Sequence, residues 1–245
     1  MNDVKQHLGG RKLNEFKGSY GDSLLHLAAL AGQDKIVSYI LKQGAEINSK
    51  NQVDMPPLFR AVQSASLSTV SLLVKNSADL QQAAMGKNVL SVALSEHNLA
   101  MAKHLTSLQV DVNQVIPDSI LGERTALTNT IAMQYPHLVV ALLELGAKLN
   151  FIDDKGDTDL HILISSYDLY ANCCTQSQID EANMFLKSVK LMVKSGAKLD
   201  IKNNKGFTAR DLLEMKFYRI INKLENKQDV NIYLEYYNKI LGYIA

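Results

Sequence analysis

Gly44-Ala45-Glu46-Ile47-Asn48 closes a leucine-rich segment, and related endings recur down the chain. They read Ser77-Ala78-Asp79-Leu80, Gln109-Val110-Asp111-Val112-Asn113, Gly146-Ala147-Lys148-Leu149-Asn150 and Gly196-Ala197-Lys198-Leu199-Asp200. Upstream of each ending a leucine anchors the segment: Leu25, Leu58, Leu90, Leu127 and Leu160 stand 33, 32, 37 and 33 residues apart. A fixed period of this length marks stacked supersecondary units, each too small to bury its apolar face alone. Within the units, Ile36, Val37, Ile40 and Leu41 recur at helical spacing, as do Val70, Leu72, Leu73 and Val74.

The residues around the anchors carry a family resemblance. Gly21-Asp22-Ser23-Leu24-Leu25-His26-Leu27-Ala28-Ala29 resembles the opening Gly-x-Thr-Pro-Leu-His-x-Ala-Ala of ankyrin repeats. Pro56-Pro57-Leu58-Phe59-Arg60-Ala61, Thr125-Ala126-Leu127 and Gly156-Asp157-Thr158-Asp159-Leu160-His161 repeat its core, and Gly206-Phe207-Thr208-Ala209-Arg210-Asp211-Leu212-Leu213 is similar to a terminal unit. The match covers roughly residues 18–225. It implies an all-α ankyrin-repeat solenoid of helix-turn-helix units joined by short β-turn fingers. Units are expected at about 20–50, 51–82, 83–113, 120–150, 153–200 and 203–225, after an N-terminal cap over 1–17 that includes Leu13 and Phe16. A C-terminal capping helix is expected over 226–245, where Val230, Leu234, Tyr237, Leu241 and Ile244 alternate at spacings of four and three.

Departures from the pattern mark particular places. The closing glycine ends a helix in a left-handed conformation. Ser77 and Gln109 replace it, so strain of about 1 kcal/mol and less regular middle units are expected. About four extra residues between Asn113 and Thr125 lengthen one finger. In the fifth unit the anchor-to-glycine distance grows from 19 residues (Leu25 to Gly44) to 36 (Leu160 to Gly196), an insertion near 167–183 between the unit's two helices. The inserted segment, with Asp168, Tyr170, Asn172 and the cysteine pair, is expected to project as a loop and to offer a second contact site.

Composition narrows the function. The 245 residues are 47% hydrophobic and 21% charged, with 26 Lys and Arg against 25 Asp and Glu, which suits a folded soluble chain and gives no overall pull towards nucleic acid. No run approaches about 20 apolar residues, so no membrane span is expected. Met1–His7 lacks the apolar core of a secretory signal. The two cysteines, Cys173 and Cys174, are adjacent, which suits a reducing, cytoplasmic setting, of the producing cell or of a host cell. Charge is segregated nonetheless: residues 111–186 hold eleven acids and three bases, whereas 187–227 hold eleven bases and four acids. Such a dipolar array can steer a charged partner.

No motif calls for chemistry. His26 and His161 occupy the Leu-His position, where a bracing hydrogen bond is expected, and the other histidines lack metal-ligand spacing. Vicinal Cys173-Cys174 has neither a C-x-x-C context nor a catalytic histidine left for it. Asp153, Asp154, Asp157 and Asp159 cluster without the register of a calcium loop. No Gly-rich phosphate loop occurs. The expected catalytic residues, metals and cofactors are therefore none.

The ankyrin resemblance implies recognition of another protein, by a monomer, along a concave face of fingers and first helices. Aligned to that pattern, the partner-facing residues are Tyr20, Asp22, Gln52, Val53, Met55, Met85, Lys87, Arg124, Met133, Asp154, Lys155, Asp157, Lys205 and Phe207. Apolar members of this set suit interface centres. The alternative reading is a secreted bacterial effector, or a toxin-neutralising or regulatory partner of an enzyme.

Overall fold

The computed structural model describes residues 16–118, 122–167, 176–222 and 227–244. The chain divides into two compact bodies, Met1–Ser119 and Ile120–Ala245. Most of the expected N-terminal cap, including Leu13, lies outside the described residues, as do Asp168, Tyr170, Asn172, Cys173 and Cys174.

The N-terminal body holds three helix pairs: α1 (Leu24–Leu30) with α2 (Asp34–Lys42), α3 (Pro57–Gln63) with α4 (Leu67–Lys75), and α5 (Val89–Ser95) with α6 (Leu99–Ser107). First helices pack in a row, α1 on α3 and α3 on α5, with α2 on α4 behind them. Short polar residues start the helices: the side chains of Ser66, Asn88 and Asn98 each accept an amide hydrogen of the first turn. Pro57 sits in a first turn, where its missing N–H leaves nothing unpaired. Alanine makes the row possible: Ala29, Ala61 and Ala93 are fully buried and let neighbouring backbones approach. Between α4 and α5, β1 (Ala83–Ala84) and β2 (Lys87–Asn88) pair antiparallel as a finger, and β3 (Ile116–Asp118) ends the body.

The left-handed stops correct one expectation. Gly44, Gly146 and Gly196 have φ of 82°, 90° and 93°, and Ser77 and Gln109 adopt the same conformation at 72° and 69°. Helices α4 and α6 keep nine residues, as α2 does, so the middle units are not irregular. The amides that follow reach back alike: Ala78 N–H to Leu73 O at 3.0 Å and Val110 N–H to Leu105 O at 3.2 Å, matching Ala45 to Ile40 at 3.3 Å. Those bonds offset the strain of about 1 kcal/mol that a side chain adds there.

In the C-terminal body, β4 (Gly122–Arg124) precedes α7 (Ala126–Ala132) and α8 (Pro136–Glu144); then come α9 (Asp159–Ser166), α10 (Gln176–Lys194), α11 (Ala209–Ile221) and α12 (Lys227–Ile244). First helices again form a row, α7 to α9 to α11, and α8, α10 and α12 form a second row. Three helices outgrow the repeat: α10 has 19 residues, α11 has 13 and α12 has 18. Gln176–Asn183, expected within a projecting loop, is instead the first part of α10. Its inward residues Ala182 and Phe185 are buried, and Phe185 stacks on Tyr167 at 4.3 Å.

The C-terminal helix differs from its expected register. Its deepest residues are Tyr233, Tyr236, Ile240 and Ile244, while Leu234, Tyr237 and Leu241 flank them half-buried. Both stripes are apolar, and packing against α10 and α11 selects the first. Phe217 of α11 stacks on Tyr233 and Tyr237, which fixes the rotation of α12. Position makes α12 the second helix of the sixth repeat.

Two polar groups tie the C-terminal body together. Lys216 donates from Nζ to the carbonyls of Ile164 at 2.9 Å, Ser165 at 3.1 Å and Tyr167, all at the end of α9. Helix ends leave such carbonyls unpaired, and a cation there also meets the negative end of the helix dipole. Asp159, buried in the first turn of α9, accepts from the Thr128 hydroxyl at 3.0 Å and the Phe151 amide at 3.1 Å. Burial pushes its carboxyl up to about 6 against these hydrogen bonds, which pull the other way.

Lys216→Met removes three charge-assisted bonds and should lower the unfolding free energy by about 2 kcal/mol, read from urea midpoints; an unchanged midpoint would show the clamp to be idle. The Asp159 sign follows from linkage. The folded carboxyl holds its proton up to about pH 6, whereas the unfolded one ionises near 3.8. Stability from this group is full below the unfolded value and falls as pH rises through the folded value, by about 3 kcal/mol in all. Denaturation of wild type and Asp159→Asn between pH 4 and 7 should show that fall in wild type alone, and parallel curves for the two proteins would refute it.

Candidate functional site

The fingers are built by side chains that close their own turns. Asn51 Oδ1 accepts the amides of Val53 and Met55, both at 3.0 Å. Asp153 Oδ1 accepts those of Lys155 and Asp157, both at 2.9 Å. Asn203 Oδ1 accepts those of Lys205 at 3.0 Å and Phe207 at 3.1 Å. An Asx side chain that holds amides two and four residues ahead fixes the loop and points the residues between outward.

Each body then ties one finger to the next. In the N-terminal body Asn51 Nδ2 donates to Asp22 Oδ1 at 2.6 Å, Arg60 pairs with Asp22 Oδ2 at 3.0 Å, and the Gln52 amide reaches Tyr20 O at 2.9 Å. Further on, Asn88 Nδ2 meets Gln114 Oε1 at 3.0 Å, and Gln114 Nε2 donates to Gln81 O at 2.7 Å. In the C-terminal body Asn203 Nδ2 donates to Asp157 Oδ1 at 2.7 Å, and Asn204 reaches the carbonyls of Lys155 and Asp154.

The two Leu-His histidines brace this lattice. The His26 ring presents Nδ1 to the Ser23 amide (3.1 Å) and hydroxyl (2.8 Å), and donates from Nε2 to Met55 O at 2.9 Å. His161 does the same with Thr158 and with Phe207 O at 3.0 Å. Each histidine thus holds the finger of the following repeat. Burial depresses the His26 pKa, with the Met55 carbonyl acting the other way, so the neutral ring is favoured. His104 Nε2 meets the Ser71 hydroxyl at 2.7 Å, also between repeats.

The expected partner-facing residues divide by exposure. Tyr20 (67% exposed), Met85 (65%) and Met133 (46%) stand open. Gln52, Asp154, Lys155 and Lys205 are exposed too, while Val53, Met55, Lys87, Arg124, Asp157 and Phe207 are half-buried. Asp22 is the correction: it is 3% exposed and saturated by Asn51 and Arg60, so it holds the first finger rather than facing outward. Met133 lies at the end of α7, the opposite end of the helix from its finger.

Backbone strain singles out two of the exposed residues. Tyr20 and Met85 take φ of 59° and 53°, a left-handed conformation that costs a bulky side chain about 1–2 kcal/mol. Both occupy finger tips of the N-terminal body, where polar ladders hold the loop in place. Sequence reading missed Met215 and Tyr218, which are exposed in the second half of α11. The buried series Ala209, Leu213 and Phe217 left them outside, a signal that only the true helix length makes legible.

Among the described residues no three His, Cys, Asp or Glu side chains stand where they could hold a metal ion, and no helix is long and apolar enough to cross a membrane.

Comparison with known proteins is consistent over different spans. Residues 25–116 match the family profile of ankyrin repeats, in three copies. The chain is 32% identical over 98 residues to a transient receptor potential cation channel subfamily A member 1 homolog of Caenorhabditis elegans, covering 40% of this chain and 8% of that protein. It is 27% identical over 165 residues to the E3 ubiquitin-protein ligase KEG of Arabidopsis thaliana, 65% of this chain and 10% of that one. The chain therefore spans a small part of these relatives. In fold it is similar to the ankyrin repeat domain of Bcl-3, with TM-score 0.67, 20% identity, and 94% and 89% of the two chains covered. An ankyrin repeat domain from Acinetobacter baumannii gives 0.63 and 18%, with 86% and 96% covered. Residues 25–116 are thus ankyrin repeats by sequence, and the helix pairs of both bodies share the ankyrin-repeat fold.

Proposed function

We propose that the chain is a non-catalytic recognition module that binds a partner protein through its fingers and first helices. Ankyrin repeats serve in general as protein–protein interaction modules. One observation carries the finer reading: Tyr20 and Met85 are large, apolar, two-thirds exposed and held in left-handed conformations at finger tips. Strain at exposed side chains is a mark of function when the surroundings over-determine it. Here the Asn51, Asp22 and Gln114 bonds do so. Rigid loops also lose little entropy on binding, which favours affinity.

Gln52, Met55 and Lys87 complete the N-terminal surface. The C-terminal body offers a more polar counterpart in Arg124, Met133, Asp154, Lys155, Asp157, Lys205 and Phe207. Both surfaces are made of groups that recognise rather than react. His26, His161 and the Asx side chains are engaged in holding the fingers.

Affinity capture with mass spectrometry, followed by calorimetry on the recovered partner, tests the reading. Tyr20→Glu with Met85→Glu should weaken binding about 30-fold or more, since the loss of even one interface anchor typically costs about 2 kcal/mol. An unchanged Kd in the double variant would sink the finger-tip assignment.

A further inference from the structure

Three lysines of α10 stand in a pattern that the free protein does not favour. Lys187, Lys190 and Lys194 are three and four residues apart, all exposed, and so lie along one face of the helix over about 10 Å. Like charges at these spacings destabilise a helix by a few tenths of a kcal/mol per pair. Elsewhere the same chain uses the spacing in the opposite way. Arg210 pairs with Glu214 at 3.1 Å on α11, and Lys239 with Glu235 at 2.6 Å on α12. On α10 the residues that could have relieved the lysines are Asn183, Met184, Leu186, Leu191 and Val193. The row continues beyond the helix with exposed Lys198, Lys202 and Lys205, and Asp200 is the one acid between Lys187 and Lys205.

The backbone under this row is fixed. Lys190 lies over the Tyr243 ring of α12 at 5.8 Å, the Lys198 amide is held by Asn150 Oδ1 at 2.7 Å, and the Lys205 amide by Asn203 Oδ1. Six lysines held at set spacings, with Asp200 the one acid among them, present a strongly positive strip.

We infer that this strip is a second recognition surface, whose occupant is an acidic segment of a polypeptide lying along α10. Extended chain advances about 3.3 Å per residue, so alternate acidic residues would meet the lysines in turn. A membrane surface fits less well, because basic helices that lie on lipid carry exposed apolar residues on the adjoining face. The large apolar side chains that stand exposed include none of α10. Nucleic acid fits less well again, since the row has no arginine and no exposed aromatic between its lysines. The inference rests on the recognition reading only in taking the occupant to be polypeptide. Its surface is separate from Tyr20 and Met85.

The test uses the full chain and a fluorescein-labelled polyglutamate peptide, with a glycine-serine peptide as the neutral control, followed by anisotropy. Wild type should bind polyglutamate and not the control, and the affinity should fall steeply between about 0.05 and 0.3 M salt. Lys187→Gln with Lys190→Gln and Lys194→Gln should weaken binding about tenfold. Lys35→Gln with Lys42→Gln and Lys75→Gln removes the same charge elsewhere and should leave it unchanged, as should Tyr20→Glu with Met85→Glu. Equal binding by the two lysine variants would overturn the strip. So would phosphatidylserine vesicles or single-stranded DNA binding as tightly as polyglutamate with the same dependence on the three α10 lysines. Failure here leaves the finger-tip result untouched, and loss of partner capture in the Tyr20 and Met85 variant leaves this one untouched. Circular dichroism of the Gln variants should match wild type.

Discussion

Leu25, Leu58, Leu90, Leu127 and Leu160 are each about 1% exposed or less, and the rest of the molecule depends on their burial. An ankyrin unit has one short first helix, seven residues long in most repeats here, and cannot bury both of its faces by itself. Within each body the leucine is enclosed by its own second helix on one side and a neighbouring first helix on the other. Removing a buried leucine opens a cavity worth about 2–5 kcal/mol, and the loss falls on two repeats together. The fingers have no such core. They project from the ends of these helices and keep their shape through polar bonds, which act only because the apolar row fixes where the helices start.

That division explains what could be read from the sequence. The anchors, the buried alanines and the closing glycines are dictated by packing, and packing recurs with the period. Left-handed turns are less legible. Gly32, Ala65, His97 and Gln134 all take φ between 53° and 61° at the turn between paired helices, yet one of the four is glycine. The bonds around the turn decide the conformation there, and the residue tolerates it. Ser77 and Gln109 obey the same rule. Asp22 was misplaced because the repeat pattern gives its position to the turn before the first helix, where side chains are often open. Its burial depends on Asn51 and Arg60, 29 and 38 residues away, and no local pattern announces such a pairing.

The C-terminal repeats were harder to read for a related reason. Helix α12 carries two adjacent apolar stripes, and spacing alone cannot say which one faces inward. The stacking of Phe217 with Tyr233 and Tyr237 settles it, a choice made by the partner helix. Helix α10 grows backwards into the insertion because its added turns find something to cover: Ala182 and Phe185 pack inward, and Tyr167 stacks on the ring. Lys216 reaches the same corner from the lengthened part of α11 and closes α9 just before the inserted segment. The lengthening of α10 and that of α11 are therefore one structural adaptation, and the 17-residue break in the period is its trace in the sequence.

Apolar finger tips and a lysine strip would act on different phases of one encounter. Exposed lysines act over roughly a Debye length, about 8 Å at physiological salt, so they raise the association rate and lose that effect as salt increases. Tyr20 and Met85 act only in contact, by excluding water, and so set how long a partner stays. The two contributions obey different constraints. Lysines need exposure and tolerate mobility, which suits the outer face of a helix and a following loop. Apolar anchors need rigidity, and here the left-handed finger tips supply it at a cost in strain that the Asx ladders offset. A chain with Asp159 buried against its own ionisation already gives up stability to polar order. Exposed strain at the fingers and repulsion along α10 extend that tendency to the surface, where binding can recover it.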